Sequence, residues 1–216
     1  MDFSGLFEMQ GMLFTIMILG YIFRKVGMIS DSGKALLTDL VLYVTLPASI
    51  LKSFQIEFSH QILVSCLSVI AVAVGIQIGA WLLGMILYPG FPDERKKVLQ
   101  YATICSNAGI LGNPIAEGIF GSMGLLYASI YTIPQRTFMW SIGMTYFTQA
   151  PDAKTLIRKV STHPCILSVV AGLLIMVLQI PLPGFISLTI KNIAGGNTFL
   201  AMALVGTILA EVPLRT

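Results

Sequence analysis

The sequence predicts an all-α integral membrane protein with about seven transmembrane helices, on three observations. Asp, Glu, Lys and Arg make up only 11% of the 216 residues, against roughly 25% in a typical soluble domain. Hydrophobic residues reach 56% and the mean hydropathy is +0.85, more apolar side chain than one small globule buries, so part of the chain must face lipid. The apolar residues also gather into seven stretches, most of them close to the ~20 residues that a helical crossing requires.

The first stretch runs from Met9 to Phe23. Asp2 and Glu8 stand in place of a basic start and no A-x-A cleavage site follows, so it reads as a retained span. The second, Ala35 to Phe54, carries Pro47 within Y-V-T-L-P-A-S-I-L; an isolated proline in a membrane helix usually makes a kink. The third, Ile62 to Tyr88, holds Gly75 and Gly79 at the G-x-x-x-G spacing that lets helices pack closely. The fourth, Val98 to Gly121, and the fifth, Leu125 to Phe147, contain the polar punctuation treated below. The sixth runs from Cys165 to Ile180, and the seventh, Phe185 to Ala210, is interrupted by Gly195, Gly196 and Asn197. The first and sixth need flanking residues to reach spanning length.

Arg24, Lys25, Lys34, Arg95, Lys96, Lys97, Lys154, Arg158, Lys159 and Arg215 all fall between or after spans on one side, ten of the thirteen basic residues. Lys52 and Lys191 sit near span ends on the other side, and Arg136 lies inside the fifth stretch. Counting Lys and Arg therefore gives a multi-pass protein of the cell membrane with its N-terminus outside and its C-terminus in the cytoplasm. The polar segment from Gln149 to His163 divides the chain into a five-span unit (1–148), a cytoplasmic linker (149–163) and a two-span unit (164–216). An odd number of spans forces any second copy of the unit to insert upside down, which is the construction of inverted-repeat transporters.

A formal charge of +3 is too small to suggest nucleic-acid binding. Cys66, Cys105 and Cys165 are far apart in apolar surroundings and read as small core residues rather than a disulfide framework. His60 and His163 are too distant in sequence to argue for a metal pair, and nothing in the chain suggests a cofactor. No nucleophile with a base, and no pair of acids, stands at a spacing that would support catalysis. A seven-span receptor or accessory protein without transport activity is the competing class. A retinal pigment would need a lysine deep in the last span, whereas Lys191 lies near its outer end.

The fourth stretch contains C-S-N-A-G-I-L-G-N-P-I-A-E-G-I-F-G, from Cys105 to Gly121. Gly109 and Gly112 weaken a helix, and Pro114 removes an amide hydrogen bond and crowds the preceding turn, so the helix is expected to break. Gly109 suits the end of one half-helix, while Asn113 before Pro114 suits the cap and first position of the next. The second half would then present bare amides and the positive end of its dipole to a carboxylate or another anion. Glu117, one turn on, serves either as a carboxylate favouring that helix start or as a group coupling transport to a cation or proton. Arg136, in I-P-Q-R-T-F, needs a partner, a cavity or a route to the interface, and serves either structural pairing or substrate binding and gating. Pro47 and the Gly195–Asn197 interruption occupy the second spans of the two units, and matched interruptions point to a transporter binding site.

These residues resemble a known family. S-N-A-G-I-L-G-N-P-I-A-E-G-I-F-G in the fourth span, L-Y-V-T-L-P-A-S-I-L in the second and H-P-C-I-L-S-V-V-A-G-L-L-I opening the sixth are similar to the auxin efflux carriers, which include bacterial organic-acid permeases and plant auxin exporters. The resemblance implies ten spans in two inverted five-span repeats, with scaffold and transport domains and two broken helices crossing beside the substrate, an organic anion. It further implies that Asn107 binds the carboxylate, that Pro114 is the crossover proline, and that Pro47 and Asn197 line or support the site. Seven spans leave three of the ten unaccounted for, so the chain is expected to be a truncated or split carrier. Partner-supplied spans would complete it, and the partners expected are a homo-oligomer or a complementing C-terminal fragment. The expected function is secondary transport of small organic anions such as carboxylates.

Overall fold

The computed structural model describes residues 3–57, 59–143, 145–147 and 152–212, and all of its described regular structure is helical. Gln149, at the start of the predicted linker, and Arg215, at the tail, lie outside the described residues.

Helix α1 (Phe3–Lys25) ends in a turn at Gly27, whose φ of 81° suits glycine. Ser30 then caps α2 (Asp31–Leu40), its Oγ accepting from the Gly33 amide at 3.1 Å. Between α2 and α3 (Leu46–Ser53) the backbone widens into a π turn, Val41–Thr45, closed by the Leu46 amide bonding to the Val41 carbonyl. The reason is Pro47: its ring would crowd the carbonyl one turn back, and a wide turn relieves that crowding without ending the helix. The predicted kink is thus a bulge within one continuous helical path from Asp31 to Ser53.

Helix α4 (His60–Leu87) starts on Ser59, whose Oγ accepts from the Ile62 amide at 3.2 Å. Helix α5 (Asp93–Ile104) carries Asp93 and Glu94 in its first turn, where the helix dipole favours acids. Helix α6 (Asn113–Phe138) changes direction at Gly121, with φ 62° and ψ −151°, a conformation essentially restricted to glycine. This reversal falls between the predicted fourth and fifth spans. Another π turn, Met139–Gly143, continues α6. The predicted linker contains a short helix, α7 (Ala153–Ser161). Helix α8 (Pro164–Val177) begins with Pro at its first position and His163 as its cap. Helices α9 (Gly184–Gly195) and α10 (Asn197–Leu209) meet at Gly196, where φ and ψ depart only slightly from helical values.

The core joins segments far apart in sequence. Helix α1 packs along α10 through bare backbone: a β-carbon on Gly206 would lie 1.9 Å from the Met17 carbonyl oxygen, and one on Gly20 would lie 2.2 Å from that of Ala203. Helix α3 packs on α8, where the fully buried Phe54 ring fills the space a side chain at Gly172 would need. Leu46, Ile50, Met176, Met202 and Leu204 complete this centre. Helix α4 lies to one side against α5 and α6. Its Gly75 and Gly79 meet no described atom within 4 Å, so the G-x-x-x-G packs against no helix among the described residues.

Among the described residues, three helical paths are long and apolar enough to cross a membrane: Asp31–Ser53, His60–Leu87 and Gly184–Leu209. Large apolar side chains along α4, among them Leu67, Val72, Ile76 and Ile86, are exposed, as a lipid-facing helix requires. The charges gather at helix ends. Glu211 pairs with Arg24 at 2.9 Å and Lys34 at 2.7 Å, and Arg24 also pairs with Asp31. Lys52 stands at the opposite end of the Asp31–Ser53 path from Lys34, roughly 27 Å away at 1.5 Å per residue.

Candidate functional site: the broken helix

Helix α5 stops at Ile104. Cys105 (φ −102°, ψ 89°) and Asn107 (φ −81°, ψ 52°) leave helical geometry, and the chain resumes winding at Ala108. The break predicted in the fourth span is present, but its position differs. Gly109 does not end the first half, and Asn113 (φ −61°, ψ −48°) is not a cap but an interior helical residue. The second half starts as a π turn, Ala108–Gly112, which passes directly into α6. Its capping carbonyl is that of Asn107, which accepts from the Leu111 and Gly112 amides, both at 3.1 Å. As at any helix start, the first amides have no partner within the helix.

Pro114 does not cause the break. The Asn113 amide bonds to the Ala108 carbonyl, five residues back, just as the Leu46 amide before Pro47 bonds to Val41. Each proline is therefore preceded by one wide turn that absorbs its ring. This also changes the role of Glu117. With the helix start at Ala108, its carboxylate lies roughly 15 Å along the axis from Asn107, too far to favour that start. It pairs instead with Lys52, Nζ to Oε1 3.4 Å.

Two neighbouring side chains of α6 hold the unwound residues. Gln135 is buried, and its Nε2 donates to both the carbonyl and the hydroxyl of Ser106, at 2.6 and 2.7 Å. Arg136 reaches the first turn of the second half, where a β-carbon on Gly109 would lie 3.0 Å from its Nη2 and 4.0 Å from Leu46 Cδ2. A guanidinium and the positive end of a helix dipole each attract an anion. Asn107 is exposed beside these groups. His163, at the cap of α8, is pushed down to about 4 by burial and by the Arg136 guanidinium, so it is neutral near pH 7 and adds no third positive charge.

A second polar cluster joins the interruptions of the second and seventh predicted spans. Thr45 Oγ1 donates to Asn197 Oδ1 at 3.1 Å, and Ser49 Oγ donates to the Ala194 carbonyl at 3.2 Å. Asn197 and Asn113 are both buried, and Asn197 Nδ2 and Asn113 Oδ1 have no hydrogen-bond partner among the described residues. The structure thus brings Asn107, Gly109 and Arg136 together, with Gly112, Asn113 and Pro114 in the adjoining turn. It sets Asn197, at the start of α10, against Thr45 in the π turn just before Pro47, and Glu117 apart. Sequence reasoning missed Ser106, Gln135 and Thr45. Gln135 carried a usable signal, an amide side chain inside an apolar run, which in a membrane requires a partner.

The family described as membrane transport protein matches residues 12–216. An uncharacterized transporter of Methanothermobacter thermautotrophicus is 27% identical over 150 residues, covering 67% of this chain and 48% of its own length. An uncharacterized transporter of Methanocaldococcus jannaschii is 23% identical over 211 residues, covering 93% of this chain and 68% of its own. The chain spans about half the length of the first of these relatives and about two thirds of the second. Its broken fourth apolar stretch and its match over nearly the whole chain agree: the protein belongs to the membrane transport protein family, that of the auxin efflux carriers.

Proposed function

We propose that the protein is a secondary transporter, or the first part of one, that moves small organic anions across the cytoplasmic membrane. The observation that carries this reading is the placement of Arg136 over Gly109, at the bare amides of the half-helix that starts after Asn107. Two positive features converge there, and a carboxylate between them makes a charge-assisted interaction with each. In this reading Asn107 and Arg136 bind the carboxylate, Gly109 gives the guanidinium room, and Gln135 fixes the unwound backbone through Ser106.

The seven apolar stretches then act as seven crossings, with the Arg24, Lys34 and Glu211 cluster at the cytoplasmic face and Lys52 outside. The pairing of helices supports an inverted repeat. Exchanging the first predicted span with the sixth, and the second with the seventh, converts the α1–α10 contact into the α8–α3 contact, and both are extensive. Under this reading the relatives' additional length corresponds to further spans that complete the second repeat.

The test is uptake of labelled succinate and benzoate by membrane vesicles carrying the protein, wild type against Asn107→Ala and Arg136→Gln. Each substitution is expected to lower uptake roughly tenfold, the loss of one charge-assisted interaction with the substrate. Equal uptake by all three proteins would remove the broken helix from the mechanism.

A further inference from the structure

Thirteen residues beyond the start of the broken helix's second half at Ala108, roughly 20 Å along its axis, the chain reverses at Gly121. There a cavity of about 410 Å³ opens, lined by Lys52, Gln55, Ser122, Ser187 and Lys191. Its volume lies within the roughly 300–1,000 Å³ typical of small-molecule sites. Lys52 comes from the end of α3 and Lys191 from α9, so two basic residues 139 positions apart share one hollow. They are also the two basic residues that charge counting assigns to the basic-poor side of the chain.

Lys52 is half-buried and Lys191 exposed, so the hollow is open to solvent, and two ammonium groups lining it both attract an anion. The protein already places a carboxylate on one of them: Glu117 lies 3.4 Å from Lys52, with side chains 20% and 34% exposed. A pair that long and that wet is weak and readily exchanged. Lysine suits such exchange, being a flexible and strongly hydrated point charge rather than a rigid fork. Glu117 itself lies on the half-helix whose first turn meets Arg136, so one helical rod carries a carboxylate-sized site at each end.

We propose that Lys52 and Lys191 form a cationic vestibule that captures small carboxylates on their way to or from the broken-helix site, with Glu117 occupying Lys52 when no substrate is there. This rests on the organic-anion reading above and adds a second, weaker site to it. Like charges gathered on one face raise the local concentration of the oppositely charged solute, so the vestibule acts on capture rather than on the transport step.

The experiment measures acetylation of Lys52 and Lys191 by a membrane-impermeant sulfosuccinimidyl ester in reconstituted full-chain protein, read by mass spectrometry. Succinate, benzoate and chloride are compared at equal ionic strength, in vesicles with and without phosphatidylglycerol. The expected result is that both carboxylates slow acetylation of both lysines roughly threefold to tenfold relative to chloride, in either lipid. Lys191→Gln removes protection at Lys52, and Glu117→Gln speeds Lys52 acetylation in chloride. In uptake assays Lys52→Gln and Lys191→Gln raise KM by the same factor and leave kcat unchanged. Equal acetylation rates in carboxylate and chloride overturn the vestibule, as does protection that follows phosphatidylglycerol content instead of the added anion.

The two readings fail separately. Protection of the lysines together with uptake indifferent to Asn107→Ala leaves the vestibule standing and removes the broken-helix site. Uptake that depends on Asn107 without protection removes the vestibule alone, and absence of both overturns both.

Discussion

Gly109 and Arg136 touch across the reversal at Gly121: a β-carbon at position 109 would lie 3.0 Å from a guanidinium nitrogen. That spacing is tighter than ordinary van der Waals contact, so position 109 tolerates only a hydrogen while the guanidinium keeps its place. Alanine there leaves the peptide's winding intact and moves the charge.

Gly109→Ala is therefore expected to weaken substrate capture without unfolding the protein. Uptake should show KM raised by roughly tenfold, the effect of shifting one charge-assisted contact by a fraction of an ångström to an ångström. Thermal unfolding in detergent should stay near wild type. A KM equal to wild type would mean that Arg136 does not face the substrate.

The seam between α1 and α10 is backbone against backbone, and its glycines have no slack. Gly206→Ala places a methyl 1.9 Å from the Met17 carbonyl oxygen and 2.8 Å from the Tyr21 amide, so the helices must part. The expected cost is about 1–3 kcal/mol, seen as a lower Tm in a detergent melt. Gly75→Ala is the matched control: nothing described lies within 4 Å, and the change is expected to be neutral or to stabilise slightly through helix propensity. Equal melts for the two variants would show that the seam is not tight.

His163 should make the attachment of α8 sensitive to acid. Its pKa falls from 6.5 to about 4 because burial, and secondarily the Arg136 guanidinium, disfavour the charged ring. Since the folded value lies below the unfolded one, the associated stability is fully present above pH 6.5 and is lost as pH falls through about 4. Protonation also converts Nδ1, which accepts from the Cys165 amide at 3.2 Å, into a donor and removes the cap. Melts between pH 7.5 and 4 should lose stability less steeply for His163→Asn, which retains a capping acceptor. Identical pH slopes would exclude His163 as the titrating group.

The helical character of all seven apolar stretches was legible in composition alone, as was the change of direction at Gly121, where apolar runs on either side leave a gap. The presence of a break in the fourth stretch was legible too. Its position was not, because proline and glycine were read as breakers in their own right. A π turn lets the backbone pass Pro47 and Pro114 by bonding one residue further back, an option invisible in a pattern of single residues. The break instead falls at Cys105–Asn107, where Gln135 supplies the hydrogen bonds that a helix would have given. Such a bond spans 29 residues, and no local pattern announces it. The same holds for Lys52 and Lys191, unremarkable span-end lysines until two helices bring them to one hollow.

The meeting of Gly20 with Ala203, and of Gly206 with Met17, also sets an order for biosynthesis. The ribosome finishes the first span about 180 residues before the surface that receives it, a delay of roughly 10–40 s at ordinary elongation rates. Throughout that interval the face of α1 around Gly20 waits without its mate. A translocation partner that shields α1 until α10 emerges would raise the yield of assembled protein, and slowing synthesis between the two would lower it.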